Sequence, residues 1–149
     1  MALITLNKLA LPTGSIVQVT DTTVISSEQT LTTSTYTDLT SATVTITPSS
    51  TSNKVLLLAN INAKYHDATA GYGLKFFRGS TNIFTTSTDY AVIRKGTATM
   101  RDNQTFIYLD SPSSTSSITY KIQVATHTSS DVRFQNSAQS TFYAMEIKG

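Results

Sequence analysis

Leu109–Val124 reads LDSPSSTSSITYKIQV, and this stretch decides the fold. A turn crowded with Ser and Thr around Pro112 is followed by Ile118, Tyr120, Ile122 and Val124 at every second position. Alternation with a period of two places successive side chains on opposite faces of a strand, so one face is apolar and the other polar. Ser, Thr and Pro are the residues that start and stop such strands.

The same grammar extends in both directions. Ile16, Val17 and Val19 open a strand after the turn signal Pro12-Thr13-Gly14. Leu31 to Leu39 reads as one Thr-rich, exposed strand. In ATVTIT, Val44 and Ile46 share a face and Pro48-Ser49-Ser50 ends the run. Lys54 to Lys64 is longer: Val55, Leu57, Ala59, Ile61 and Ala63 line one face, while Leu56 and Leu58 suggest burial of the other face at its start. Gly71–Arg78, Asn82–Thr85, Thr105–Leu109, Ser117–Ala125, Val132–Gln135 and Thr141–Lys148 complete the set. No window longer than ten residues carries a helical period; within Leu3 to Leu11, Leu3, Leu6 and Leu9 could make a turn of helix or equally lie along an extended arm. Nine or ten strands at this spacing predict an all-β fold, an antiparallel β-sandwich or jelly roll. Residues 14–149 form its single domain, and residues 1–13 an extended N-terminal arm. Thr86 to Asn103 is long for a connection, and a further hairpin with Tyr90–Ile93 as one strand and Gly96 in its turn is expected there.

Composition agrees. The 149 residues are 39% hydrophobic and only 13% charged, and Ser and Thr supply roughly a third of them. Thr, Val, Ile, Tyr and Phe suit a pleated, half-buried surface. A net charge of +2 makes no electrostatic case for nucleic acid or an anionic membrane. No apolar run is long enough to span a bilayer, and the start MALITLNKLALPTG lacks the pattern of a signal peptide. Without cysteine there are no disulfides and no thiolate zinc site.

Candidate chemistry is sparse. His66 precedes Asp67, but neighbours in a strand point apart, and both read as loop residues; so does His127, next to Thr128-Ser129-Ser130. There is no G-x-S-x-G elbow and no glycine-rich phosphate loop. The expectation is that the chain is not an enzyme and takes no cofactor or metal. Tyr65, Tyr72, Phe76, Phe77 and Tyr90 are candidates for a sugar-binding surface, with core packing as the commoner role. Asn103-Gln104-Thr105 is a glycosylation sequon. Two features suggest contact with other proteins: the apolar arm residues Leu3, Ile4, Leu6, Leu9 and Leu11, and the basic cluster Arg94, Lys95 and Arg101, which reads as a solvated hairpin tip or as a docking site for an acidic neighbour.

LALPTGSIVQV (9–19), TITPSSTSNKVLLLANI (45–61), LDSPSSTSSITYKIQV and the final MEIKG (145–149) resemble small β-rich virion structural proteins of tailed phages, of the marine and cyanobacterial type. The resemblance runs from Leu11 to Gly149 and is weakest over Tyr65 to Asn103. It implies a capsid decoration (cement) protein: a homotrimer on the outer surface of the virion capsid, bound to the phage major capsid protein and assembled in the host cytoplasm, without nucleic acid or membrane as partner. The alternative it implies is a receptor-binding tip of a tail fibre or spike, recognising host surface glycans. A start at Met1, one domain's length, no coiled-coil heptads and an apolar arm favour decoration.

Overall fold

A computed structural model describes residues 11–20, 23–86, 92–96 and 99–149 of the chain. These form twelve strands: β1 (Ile16–Val19), β2 (Thr23–Ile25), β3 (Gln29–Leu31), β4 (Thr37–Ile46), β5 (Lys54–Tyr65), β6 (Thr69–Arg78), β7 (Thr81–Thr85), β8 (Val92–Lys95), β9 (Met100–Asp110), β10 (Ile118–Thr126), β11 (Val132–Phe134) and β12 (Ser140–Ile147). The helical content of the described residues is one 3-10 turn at His127–Ser129.

Seven strands make one sheet and five the other, all pairs antiparallel. In the larger sheet β9 lies along the whole of β5, from Val55↔Asp110 to Tyr65↔Met100. The other flank of β5 is shared by β12 and β11, and β1 and β2 follow beyond β12, β3 beyond β11. In the smaller sheet the order is β4, β10, β6, and then β8 and β7 end to end along the free flank of β6. Four ranks facing four ranks is the layout of an antiparallel jelly-roll sandwich.

The alternation in the sequence fills the space between the sheets. Ile118, Tyr120, Ile122 and Val124 are buried, as are Val44 and Ile46 and all of Val55, Leu57, Ala59, Ile61, Ala63 and Tyr65. Aromatic rings join the layers: Phe76 of β6 stacks on Phe142 of β12 with centroids 5.7 Å apart, and Tyr72 of β6 meets Phe134 of β11 edge-on at 5.1 Å. Six of the twelve largest fully buried side chains are aromatic, Tyr65, Tyr72, Tyr120, Phe76, Phe134 and Phe142, so aromatic volume sets the layer spacing.

Three expectations are corrected. Leu31 to Leu39 is not one strand: β3 pairs with β11 in the larger sheet and β4 with β10 in the smaller. Between them the Thr33 hydroxyl accepts the Thr35 amide at 3.1 Å, and hydroxyls that bond local backbone compete with a ladder. Within β4, Ser41 takes a positive φ of 61° and forms a bulge, so Leu39 and Ala42 both face the core although an odd spacing separates them. Finally, β8 and β9 are not a hairpin. β8 extends the smaller sheet along β6, whereas β9 is an edge of the larger sheet along β5. The stretch Thr86 to Asn103 is long because it holds β8 and the first residues of β9; the step between the sheets takes only residues 96–99.

Candidate interaction surface

The outer face of the larger sheet is apolar at one end. Cross-strand partners share a face, which sorts the side chains into rows. Ile16 of β1 faces Ile147 of β12, and Lys54 of β5 ends that row. The next row runs Val19, Met145, Leu56, Leu109 across all four ranks. The third runs Tyr143, Leu58, Ile107. The fourth, Val24, Thr141, Asn60 and Thr105, is mixed. Beyond it Asn62 faces Asn103 and Lys64 faces Arg101. Along β5 and β9 the face therefore changes from aliphatic to amide to cationic.

Exposure marks the apolar end as unusual. Six large hydrophobic side chains among the described residues are exposed: Ile16, Val19, Val24, Met100, Ile107 and Leu109. All but Met100 lie on this face. Ile107 is 59% exposed and Leu109 45%, while Leu56, Leu58, Tyr143 and Met145 between them are half-buried. Scattered surface hydrophobes need no explanation, but a contiguous set on one rigid sheet marks a contact surface.

The corner beneath the first rows is rigidly fastened. Glu146, on the inner side of β12, is fully buried. Its Oε1 accepts the Ser49 amide at 2.6 Å, the Ser49 hydroxyl at 2.8 Å and the Asn53 amide group, and its Oε2 accepts Gln18 Nε2 at 2.6 Å. Burial pushes the carboxyl up, but the donors of Asn53, Ser49 and Gln18 outweigh it and hold the group below the usual carboxylate range. Lys148 Nζ donates to the backbone carbonyl of Leu11, which ties the start of the described chain to the end of β12. In the same row as Glu146 and Val55, at the C-terminal end of β9, Asp110 is buried and takes Arg78 through both carboxylate oxygens, at 3.0 and 3.1 Å, and the Tyr120 hydroxyl at 2.7 Å. Since Asp110 belongs to the larger sheet and Arg78 and Tyr120 to the smaller, the bonds pin the layers together directly below Leu109.

The residues singled out in the sequence are dispersed. Leu3, Ile4, Leu6 and Leu9 lie outside the described residues; Leu11 is half-buried beside Lys148. Arg94 and Lys95 belong to β8, where their backbones pair with Ala70 and Thr69. Arg101 lies on the opposite sheet and donates to Asn136 Oδ1 at 3.0 Å. One basic hairpin tip is therefore not formed. Tyr65, Tyr72 and Phe76 are buried in the core, so three of the five candidate sugar-stacking rings face inward; Phe77 is half-buried and Tyr90 lies outside the described residues.

His66 and Asp67 do not cooperate: Asp67 Oδ2 accepts the Asp131 amide at 2.6 Å, and His66 Nε2 is buried without a hydrogen-bond partner. Among the described residues no group of three His, Asp or Glu is placed to hold a metal, and no helix is long and apolar enough to cross a membrane. Burial of the second face of β5, expected from Leu56 and Leu58, is only partial: both are half-buried on the outer face, and the exposed Ile107 and Leu109 beside them were not picked out in the sequence. The signal for this outer surface was present as paired apolar residues at adjacent positions, Leu56 with Leu57 and Ile107 with Phe106, which break the polar half of the alternation.

No protein-family model and no curated protein matches the chain. Solved structures of low identity do share the fold. One, the structure of infectious bursal disease virus Gx strain, superposes with a TM-score of 0.52 at 12% identity over all of this chain and 38% of that one. Another, the VP2 subviral particle of infectious bursal disease virus, gives a TM-score of 0.51 at 14% identity over 89% of this chain and 33% of that one. The chain thus spans little more than a third of the length of these viral chains, and what it shares with them is the β-sandwich architecture.

Proposed function

We propose that the chain is a virion structural protein, acting as a capsid decoration protein that attaches to the outside of a shell and to copies of itself as a homotrimer. The observation that carries this reading is the apolar outer face of the larger sheet, built on a sandwich whose polar groups are spent on holding the layers together. A rigid slab with one unpartnered apolar face fits assembly better than turnover. The architecture shared with virus-particle chains supports the same direction, as does the resemblance to tailed-phage virion proteins over Leu11–Gly149.

In this role, Leu3, Ile4, Leu6, Leu9 and Leu11 supply apolar contacts to the shell or to a neighbour. Arg94, Lys95 and Arg101, divided between the two sheets, steer docking toward acidic surface. Each contact is modest, and repetition over many copies multiplies the effect. Internal burial of Tyr65, Tyr72 and Phe76 favours decoration over a glycan-binding fibre tip, because these rings offer no external stacking platform.

Particle stoichiometry tests the proposal. Quantitative mass spectrometry of purified virions, with a reconstruction of the particle, is expected to show hundreds of copies on the capsid surface. A few copies confined to the tail, or none, would overturn it. Light scattering of the purified chain is expected to give three times the mass of one chain.

A further inference from the structure

The face described above is wide enough, apolar enough and sufficiently free of charge to need a definite occupant. Its first three rows contain one charged position, Lys54 at the corner. The segment that precedes Leu11 has matching chemistry: MALITLNKLA carries Leu3, Ile4, Leu6 and Leu9, no acidic residue and a single lysine. Reach is adequate. Four ranks are three inter-strand spacings, about 15 Å, and ten extended residues span up to about 35 Å.

Where the described chain begins decides which copy supplies the segment. The Leu11 carbonyl is held by Lys148 Nζ. Lys148 follows Ile147 by one residue and so leaves the strand toward the opposite side. There it lines, with Val17, Ser49 and Asn53, a cleft next to the buried Glu146 network. Leu11 is therefore attached on the inner side of the corner, away from Ile107 and Leu109. A turn follows at once, with Ser15 N donating to the Pro12 carbonyl at 3.1 Å and Gly14 at φ 88°. To cover its own outer face the segment would have to reverse around the β1 edge. A neighbour's segment meets no such obstacle.

We propose that the apolar outer face of the larger sheet, centred on Leu56, Leu58, Ile107 and Leu109, receives residues 1–10 of a second copy of this chain. This rests on the assembly reading and names the partner for the arm. Each copy gives an arm and receives one; in the homotrimer proposed above, donor and acceptor face different neighbours, and such heterologous contacts close into a ring when the rotation permits.

The absence of cysteine allows a direct test on the full chain. Two single variants, Leu6→Cys and Ile107→Cys, are mixed and oxidised. A disulfide-linked heterodimer is expected on a non-reducing gel, several-fold more abundant than from Leu6→Cys mixed with Thr81→Cys, a variant of an exposed position on the other sheet. The double variant Leu6→Cys with Ile107→Cys is expected to give linked copies. Leu109→Cys serves as a second acceptor should Ile107→Cys disturb the edge strand. A double variant that closes only on itself overturns the proposal in favour of the chain's own arm. Cross-linking no greater than the Thr81→Cys control overturns it outright. If such a chain still binds particles, the assembly reading survives; if it binds none, that reading fails separately.

Discussion

The hydroxyl of Tyr120 donates to Asp110 Oδ2 at 2.7 Å, and the bond spans the two layers of the sandwich. Arg78 completes the group, so a buried carboxylate of the larger sheet is neutralised from the smaller one. Tyr120→Phe removes one hydrogen bond to a charged acceptor and is expected to cost about 1.5–3 kcal/mol. Asp110→Ala costs more, because it strands the buried Tyr120 hydroxyl and an arginine. Urea unfolding of the two variants checks the order; equal stability would show that the pin contributes nothing.

The same contact predicts alkaline behaviour. Burial first, and the hydrogen bond to Asp110 second, push the Tyr120 hydroxyl above the usual tyrosine range. A group with a raised folded pKa contributes stability that is whole below its unfolded value and fades as pH climbs past it. Stability is therefore expected to fall above about pH 10. Spectrophotometric titration of the folded protein should miss Tyr120 until the chain unfolds.

Glu146 predicts the acid side. Its folded pKa is lowered by its donors against the opposing effect of burial. Its contribution is therefore present above the unfolded value of about 4.3 and lost as pH falls through the lowered folded one. Glu146→Ala removes the shared acceptor of the Ser49 amide and hydroxyl and of Asn53, while Gln18 keeps its bond to the Thr47 carbonyl, and is expected to cost about 1–3 kcal/mol. Melting of the wild type and Glu146→Ala from pH 7 to pH 2 should converge.

Phe142 stacks on Phe76 at the centre of the sandwich. Phe142→Ala is expected to lose about 3–5 kcal/mol through the cavity it leaves. Calorimetry reads the change, and a loss under 1 kcal/mol would mean the layers close over the gap.

Ile107 and Leu109 behave in the opposite way. Both are exposed, so Ile107→Ser and Leu109→Ser are expected to shift the stability of the isolated chain by no more than about 0.5 kcal/mol. Their self-association is expected to weaken. Light scattering against concentration separates the two effects.

The strands with strict alternation were legible without coordinates. Ile118, Tyr120, Ile122 and Val124 announce one buried face, and the structure buries all four. Reading failed where local chemistry overrides the period. The bulge at Ser41 shifts the phase inside β4, and the Thr33 turn separates β3 from β4. The basic cluster failed for another reason: nearness in sequence across Lys95 and Arg101 conceals a crossing between sheets.

By itself the sequence determined that this protein is a two-layer β-structure with its chemistry spent on turns and packing, because a period of two dictates which side chains can be buried together. Only the tertiary structure decided which strands are neighbours. Sheet order is set by long-range pairing, which no local pattern encodes, and that pairing gathers Val19, Met145, Leu56 and Leu109 into one row on the outer face.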